Sequence, residues 1–239
     1  MLTWGDLLAS FWALCRLSAR IVLHRKLPFM GLGILVYYGI LYALALGRPD
    51  EGFGVAQALY VLVEIPGAVL AIYLTMDLVA GERDRRTLET LFSTSTSHYG
   101  IWVLRLIAVY AILALTLMSM STAAYFLFAE FPFVLGGLNA FAPAFLLVNL
   151  TFFLSVTCRS GNTAGMLSLG VIIAVLLSAR ALRQSYYFLF LNPFSPPIGV
   201  DSALWTEIVL LNRLALVGGG ALLLFLALRK MAQRERLLA

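Results

Sequence analysis

The sequence has few charged residues. Only 12% of its 239 residues are Asp, Glu, Lys or Arg, whereas about a quarter is usual in soluble domains. Hydrophobic residues make up 62% of the chain and its mean hydropathy is +0.93, which is more than one soluble core needs. A water-soluble enzyme is therefore disfavoured. Because a membrane-crossing helix takes about 20 mainly apolar residues, the chain has room for six or seven spans but not for a large extramembrane domain.

Residues that build catalytic, metal or nucleotide sites are scarce. The only lysines, Lys26 and Lys230, do not belong to a GxxxxGK[ST] phosphate loop, so we expect this chain to bind no nucleotide in that way. The two histidines, His24 and His98, lack the HExxH spacing, and the two cysteines form no CxxC pair. We therefore predict no metal site, no cofactor bound by this chain and no enzymatic activity of its own.

Six apolar runs divide the chain, and polar or turn-forming clusters separate them. The residues before the first run place polar and apolar side chains on opposite sides of a helix, a pattern typical of helices that lie in the membrane interface. The predicted fold class is an all-α integral membrane protein, with an N-terminal interfacial amphipathic helix and six transmembrane helices. The runs cover residues 28–46, 55–79, 102–128, 138–158, 163–182 and 209–228.

Basic residues are unevenly distributed among the segments that join these runs. With a cytoplasmic N-terminus, 13 of the 17 Lys and Arg residues fall on the cytoplasmic side, in the direction that the positive-inside rule requires. Arg48, Arg180, Arg183 and Arg213 are the four assigned to the outer side. Both termini are thus predicted to be cytoplasmic, which agrees with an even number of spans. The net charge of +5 reflects membrane topology in this interpretation, and we expect lipid contacts but no nucleic-acid partner.

We interpret residues 1–239 as one transmembrane domain. Its predicted parts are the interfacial helix 1–27, spans 28–79, a cytoplasmic region 80–101, spans 102–182, an outer loop 183–208, a last span 209–228 and a cytoplasmic tail 229–239.

The most concentrated charge follows the second apolar run, in residues 81–94, which we call the charged segment. Six of its first nine residues are charged, and Leu88, Leu91 and Phe92 are interspersed with polar residues. This pattern predicts a short amphipathic helix on the cytoplasmic membrane surface. Thr87 can cap the helix, and Glu89 lies near its positive end. The alternative is a juxtamembrane charge cluster that only fixes topology.

The charged segment resembles the signature of ABC type 2 exporter permeases, in which the second span ends in Glu-Arg and a Thr-Leu-Glu follows. Glu82-Arg83 and Thr87-Leu88-Glu89 match as they stand. The interfacial helix, the six runs and Asn192-Pro193-Phe194 in the outer loop also fit this family. Three positions depart from the family pattern: Arg86 replaces a glycine, Ser95 a proline and Arg105 a lysine.

The resemblance implies a permease subunit that forms the substrate path of an exporter in the cytoplasmic (inner) membrane of a prokaryote. In such exporters the surface helix docks in a separate ATP-binding cassette ATPase subunit, which carries the ATP and Mg²⁺. Two permeases, identical or homologous, work together, and drug, lipid, polysaccharide, peptide and cofactor substrates are all compatible. The implied ATPase-coupling residues are Glu82, Arg83, Asp84, Arg85, Arg86, Thr87, Leu88 and Glu89.

Two carboxylates lie in or near the second run. Glu64 is midway along it, where a carboxylate is costly, so we expect it to face a cavity, a partner or the subunit interface. A structural, protonated glutamate and an outer-interface position are the alternatives. Asp77 is nearer the cytoplasmic interface, solvated or paired with Arg83 or Arg105. The two carboxylates also motivate a different function, an ion-coupled secondary transporter that uses Glu64 and Asp77 as a proton relay.

Polar and aromatic residues mark further candidate positions. Asn139 and Asn149 place amides along the fourth run, where they either join helices or line the substrate path. Several aromatic residues fall toward the predicted outer ends of the runs and fit an interfacial belt. They include Tyr37, Tyr38, Phe188 and Phe190.

Overall fold

The computed structural model describes residues 26, 28–47, 54–80, 98–158, 160–179, 188–194, 196 and 199–232, and no strand occurs among them. The predicted interfacial helix 1–27 lies outside the described residues except for Lys26. Six helices are described. They are α1 (Pro28–Gly47), α2 (Val55–Gln57, Ala58–Glu64 and Ile65–Thr75 in succession), α3 (His98–Leu127), α4 (Phe133–Thr157), α5 (Gly161–Leu177) and α6 (Ser202–Ala232).

The helices have the length and composition of membrane-spanning segments. Within the described parts of the chain, α1, α2, α3, α4 and α6 are each long and apolar enough to cross a membrane, and α5 is a shorter apolar helix. The expected all-helical architecture is confirmed for these residues, and the apolar helices are consistent with a multi-pass membrane protein. Each of the six predicted runs overlaps one of the helices.

Four helices, α3 to α6, begin earlier than their apolar runs, and the difference is largest for α4 and α6. α4 starts at Phe133, directly after Pro132, whose backbone is extended. α6 starts at Ser202 and not at 209, so the end of the predicted outer loop is helical. Thr206 and Glu207 precede the apolar run but belong to the helix, because helical hydrogen bonding does not require apolar side chains.

α2 changes its hydrogen-bonding pattern midway. Its central part, Ala58–Glu64, is π-helical, and the Ile65 N–H bonds to the Tyr60 carbonyl five residues before it. Pro66 follows and has no N–H to donate. Carbonyl groups in the preceding turn therefore need donors from outside the helix.

Two tyrosines of α1 supply those donors. The Tyr37 hydroxyl donates to the Val61 carbonyl at 2.7 Å. The Tyr38 hydroxyl lies 2.8 Å from the Leu62 carbonyl and 3.0 Å from the Met120 carbonyl of α3. The hydroxyls thereby fix α1 to the irregular part of α2.

α4 is the central helix of the bundle. It packs against α2, α3, α5 and α6, and most of α2 and α4 is buried, whereas most of α1 and α6 is exposed. The exposed side chains on α1, α5 and α6 are largely apolar, as expected for surfaces that face lipid or another membrane helix. Polar side chains are buried mainly in the interior around α2 and α4.

Candidate functional site

The charged segment, with all eight predicted ATPase-coupling residues from Glu82 to Glu89, lies outside the described residues. Its two flanks are described. α2 ends at Thr75 and a turn continues to Ala80, while α3 begins at His98. The structure therefore defines the helices from which the charged segment extends.

Ser155 of α4 fixes the turn that leads into the charged segment. Its hydroxyl donates to the Met76 carbonyl at 2.9 Å and accepts the Ala80 N–H at 3.1 Å. The Val79 N–H is 3.4 Å from the same oxygen. Since the last carbonyls of a helix have no partner within it, this buried hydroxyl stabilises the end of α2 from a neighbouring helix.

A second contact at this end is ionic. The Lys26 ammonium lies 3.0 Å from the Asp77 carboxylate and donates to the Tyr73 carbonyl at 2.6 Å. Among the described residues Lys26 is thus a partner of Asp77, whose side chain is 41% exposed; Arg83, one of the two partners that the sequence suggested, lies outside them. The Arg105 guanidinium lies over the Trp102 ring, 5.0 Å from its centroid.

α5 approaches the same turn through a glycine. A Cβ atom at Gly161 would overlap the Asp77 carboxylate and lie 3.2 Å from the Met76 carbonyl. The Ser160 hydroxyl accepts the Thr163 N–H at 3.2 Å and caps the start of α5. The exit of α2 is therefore held by residues from α4, α5 and the segment before α1.

A separate buried cluster surrounds Glu64. Its side chain is 1% exposed, and one carboxylate oxygen lies 3.5 Å from the Arg213 Nη2 of α6. Neither carboxylate oxygen has a hydrogen-bond partner among the described residues. Glu64 thus lies in the interior of the helix bundle, opposite a cation.

Arg213 is the centre of this cluster. Its Nη2 donates to the Leu191 carbonyl at 2.7 Å, and its Nη1 lies 3.4 Å from the Leu189 carbonyl. Asn139 of α4 accepts from the Arg213 Nε at 3.3 Å, and the Asn212 side-chain oxygen is 3.3 Å from Nη1. One guanidinium therefore connects α4, α6 and the segment before α6, and faces α2.

Sequence reasoning missed Arg213. We counted it only among the four outer basic residues, whereas its side chain is 12% exposed and contacts Glu64, Asn139 and the backbone of the segment before α6. The signal was available, because an arginine within an apolar run needs a polar or anionic partner. Glu64, in the second apolar run, is the anionic partner of this arginine.

The three predicted polar positions do not form one site. Glu64 and Asn139 both flank Arg213. Asn149 lies elsewhere on α4, where it accepts from the Tyr110 hydroxyl at 2.6 Å and donates to the Phe145 carbonyl at 2.9 Å. A role for these residues in a substrate path stays a prediction.

The prediction that these aromatic residues form an interfacial belt is wrong for several of them. Tyr38, Phe188 and Phe190 are 7%, 3% and 2% exposed, and Tyr37 is hydrogen-bonded to α2. Tyr37 and Tyr38 lie near the middle of α1. Their hydroxyls face carbonyl groups of α2 that Pro66 and the π-helical stretch leave without a donor in the helix. These aromatic residues therefore belong to the interior packing.

The described part of the chain contains no group of three or more His, Cys, Asp or Glu residues that could hold a metal ion. The polar clusters it does contain join helices and balance charge. No family model matches this sequence, and no curated protein is similar to it at a significant level.

Proposed function

We propose that this chain is the transmembrane permease subunit of an ABC exporter, with six spans and both termini in the cytoplasm. It resides in the cytoplasmic membrane of a prokaryote, pairs with a second copy or a homologous permease, and recruits ATPase subunits that bind ATP and Mg²⁺. The observation that carries the proposal is the sequence Glu82-Arg83 with Thr87-Leu88-Glu89, directly after an apolar membrane-length helix.

The contacts around the exit of α2 support a lever at this position. Ser155 and Gly161 tie the turn after α2 to α4 and α5, and Lys26 ties it to the start of α1. A partner that moves the charged segment would therefore act on several helices together. Rigid displacement of packed helices is a common way of converting a local event into a global change.

The test is a triple substitution, Glu82→Ala with Arg83→Ala and Glu89→Ala, in a chain co-expressed with an ATP-binding cassette ATPase subunit from the same organism that co-purifies with the unaltered chain. We expect the triple variant to lose co-purification of the ATPase and its stimulated ATP hydrolysis, because the charged contacts are removed. The purified permease alone should release no phosphate from ATP.

The matched control is Arg229→Ala with Lys230→Ala, which removes two charges at the predicted cytoplasmic end of α6. These residues lie outside the charged segment, so the control should retain the ATPase. Normal co-purification and normal stimulation by the triple variant would overturn the lever assignment.

The buried carboxylate of Glu64 favours one alternative, an ion-coupled secondary transporter. Glu64 and Asp77 are 13 positions apart, about 20 Å along a helix axis, and each faces a different cation, Arg213 or Lys26. Flux driven by an imposed pH gradient in vesicles that lack an ATPase, and abolished by Asp77→Asn, would establish the relay and refute the exporter.

A further inference from the structure

A non-helical segment, Phe188–Phe194, is packed inside the bundle. Phe188, Leu189, Phe190 and Leu191 are 3%, 6%, 2% and 1% exposed. Non-helical backbone at membrane depth is tolerated only where protein or water satisfies its polar groups. Whether the segment stays inside the bundle therefore depends on which hydrogen-bond donors its carbonyl groups find there.

Two residues of α6 donate hydrogen bonds to three carbonyl groups of this segment. Asn212 donates to the Phe188 carbonyl at 3.1 Å, and Arg213 reaches the carbonyls of Leu189 and Leu191. A guanidinium presents five donors in a fixed planar arrangement, so it can bind several carbonyl groups at once. Two adjacent residues of one helix thus hold the segment.

The other end of the segment has its own contacts. The Trp205 indole N–H donates to the Asn192 carbonyl at 3.2 Å. The Asn192 side chain accepts the Phe194 N–H at 2.8 Å and forms a local turn. The Phe190 ring packs edge-on against Tyr60 of α2, with 5.7 Å between ring centroids. The segment is consequently in contact with both α2 and α6.

Glu64 balances the charge of Arg213, but its carboxylate receives no hydrogen bond from the guanidinium. The 3.5 Å separation is an ion pair, and the carboxylate oxygens have no hydrogen bond from any described residue. A buried carboxylate without hydrogen bonds is poorly compensated for the loss of water. Hydration of Glu64 therefore opposes the held arrangement, whereas burial of the apolar side chains of the segment favours it.

We infer that Phe188–Phe194 is a releasable strap, held in the bundle by Arg213 and Asn212 with Glu64 as the counter-charge. Release breaks the contacts of Asn212 and Arg213 to three carbonyl groups and that of Trp205 to the Asn192 carbonyl, admits water to Glu64 and exposes the backbone of the strap. The inference rests on contacts within this chain and is independent of the proposed ATPase partner.

The experiment measures how often the strap opens. Leu189→Cys is introduced into the chain with Cys15→Ser and Cys158→Ser, and the purified protein in detergent is treated with a water-soluble maleimide. Ser202→Cys, at the exposed start of α6, reports an accessible position in the same background. Leu189→Cys should react much more slowly than Ser202→Cys, yet should react fully without denaturant, because the strap opens and closes.

Substitutions in the cluster should then accelerate labelling at residue 189. Arg213→Gln removes the carbonyl contacts and leaves Glu64 without a counter-charge, so we expect labelling at least about tenfold faster, as for the loss of a hydrogen bond from a charged donor. Arg213→Lys and Asn212→Ala should give smaller accelerations. The double variant Glu64→Gln with Arg213→Gln should react more slowly than Arg213→Gln alone, because no uncompensated charge remains.

Two asparagines of α4 provide a matched comparison. Asn139→Ala removes a contact of Arg213 and should accelerate labelling, whereas Asn149→Ala alters the separate Tyr110 contact and should not. If Arg213→Gln fails to fold, Arg213→Lys and Asn212→Ala still decide the question. Complete protection of Leu189→Cys until denaturation, or equal labelling rates in all variants, would overturn the strap; no slowing in the double variant would overturn the role of Glu64.

Discussion

At the scale of single residues, Pro66 explains why two tyrosine hydroxyls of α1 lie against the backbone of α2. The apolar pattern of the sequence does not indicate this contact. A proline within α2 leaves carbonyl groups without a helical donor, and the hydroxyls of Tyr37 and Tyr38 lie against Val61 and Leu62. Hydrogen bonds of this kind are more consequential in a membrane, where no water replaces a missing donor. The tyrosines are therefore structural partners of a proline on another helix.

This pairing predicts the effect of removing one hydroxyl. Tyr38→Phe keeps the ring but leaves the Leu62 carbonyl without its donor, so we expect a loss of about 0.5–1.5 kcal/mol in the free energy of unfolding. Reversible unfolding in mixed micelles, titrated with SDS, measures the change. Tyr42→Phe is the control, because Tyr42 is 43% exposed and contacts Phe128 through its ring. Equal stabilities of the two variants would contradict the account.

At the scale of helices, the sequence predicted where each helix lies but not all of its boundaries or its internal geometry. The apolar runs located all six described helices, because burial in lipid requires apolar surface. They missed the start of α6, since Thr206 and Glu207 are polar, and the start of α4, where Gly136 and Gly137 have low helix propensity. The π-helical part of α2 has no periodic signature in the sequence.

The contact between α5 and the exit of α2 gives a prediction at this scale. Gly161→Ala places a methyl group against the Asp77 carboxylate and the Met76 carbonyl, so the carboxylate must turn away from Lys26 or α5 and the turn must separate by a few tenths of an ångström. We expect a destabilisation of about 1–3 kcal/mol, the usual range for overpacking, measured as a lower midpoint of SDS unfolding.

Gly170→Ala on the same helix is the matched control. A Cβ atom at Gly170 has no neighbour within 4 Å, so alanine there should be neutral or slightly stabilising because of its higher helix propensity. If Gly161→Ala were as stable as Gly170→Ala, the close approach of α5 to the turn would be wrong.

At the scale of the whole molecule, the sequence indicated which residues are costly in a membrane but not how they combine. Glu64 and Asn139 were identified individually, whereas their common partner Arg213 was assigned to the outer side. Which helices lie side by side depends on tertiary packing, and the periodicity of one chain does not contain that information. The grouping of Glu64, Asn139 and Arg213 therefore required the three-dimensional structure.

The proposed topology gives a prediction for the complete molecule. Three predicted spans separate residues 48–53 from Asn162 at the start of α5, so the two should lie on opposite sides of the membrane. In the chain that carries Cys15→Ser and Cys158→Ser, Asp50→Cys should react with an impermeant maleimide in intact cells. Asn162→Cys should react only after permeabilisation.

Glu235→Cys in the predicted cytoplasmic tail is the control for this assay, and it should behave like Asn162→Cys. Labelling of Asp50→Cys and Asn162→Cys from the same side would mean that one of α2, α3 and α4 does not cross the membrane.

The ion pair between Glu64 and Arg213 also has a consequence for synthesis. Glu64 belongs to the second described helix and Arg213 to the last, about 150 residues later along the chain. At typical elongation rates of about 5–20 residues per second, Glu64 emerges roughly 7–30 s before its partner exists. A ribosome that stops before α6 leaves a buried carboxylate with no cation to balance it. The ion pair can therefore form only after α6 has been synthesised.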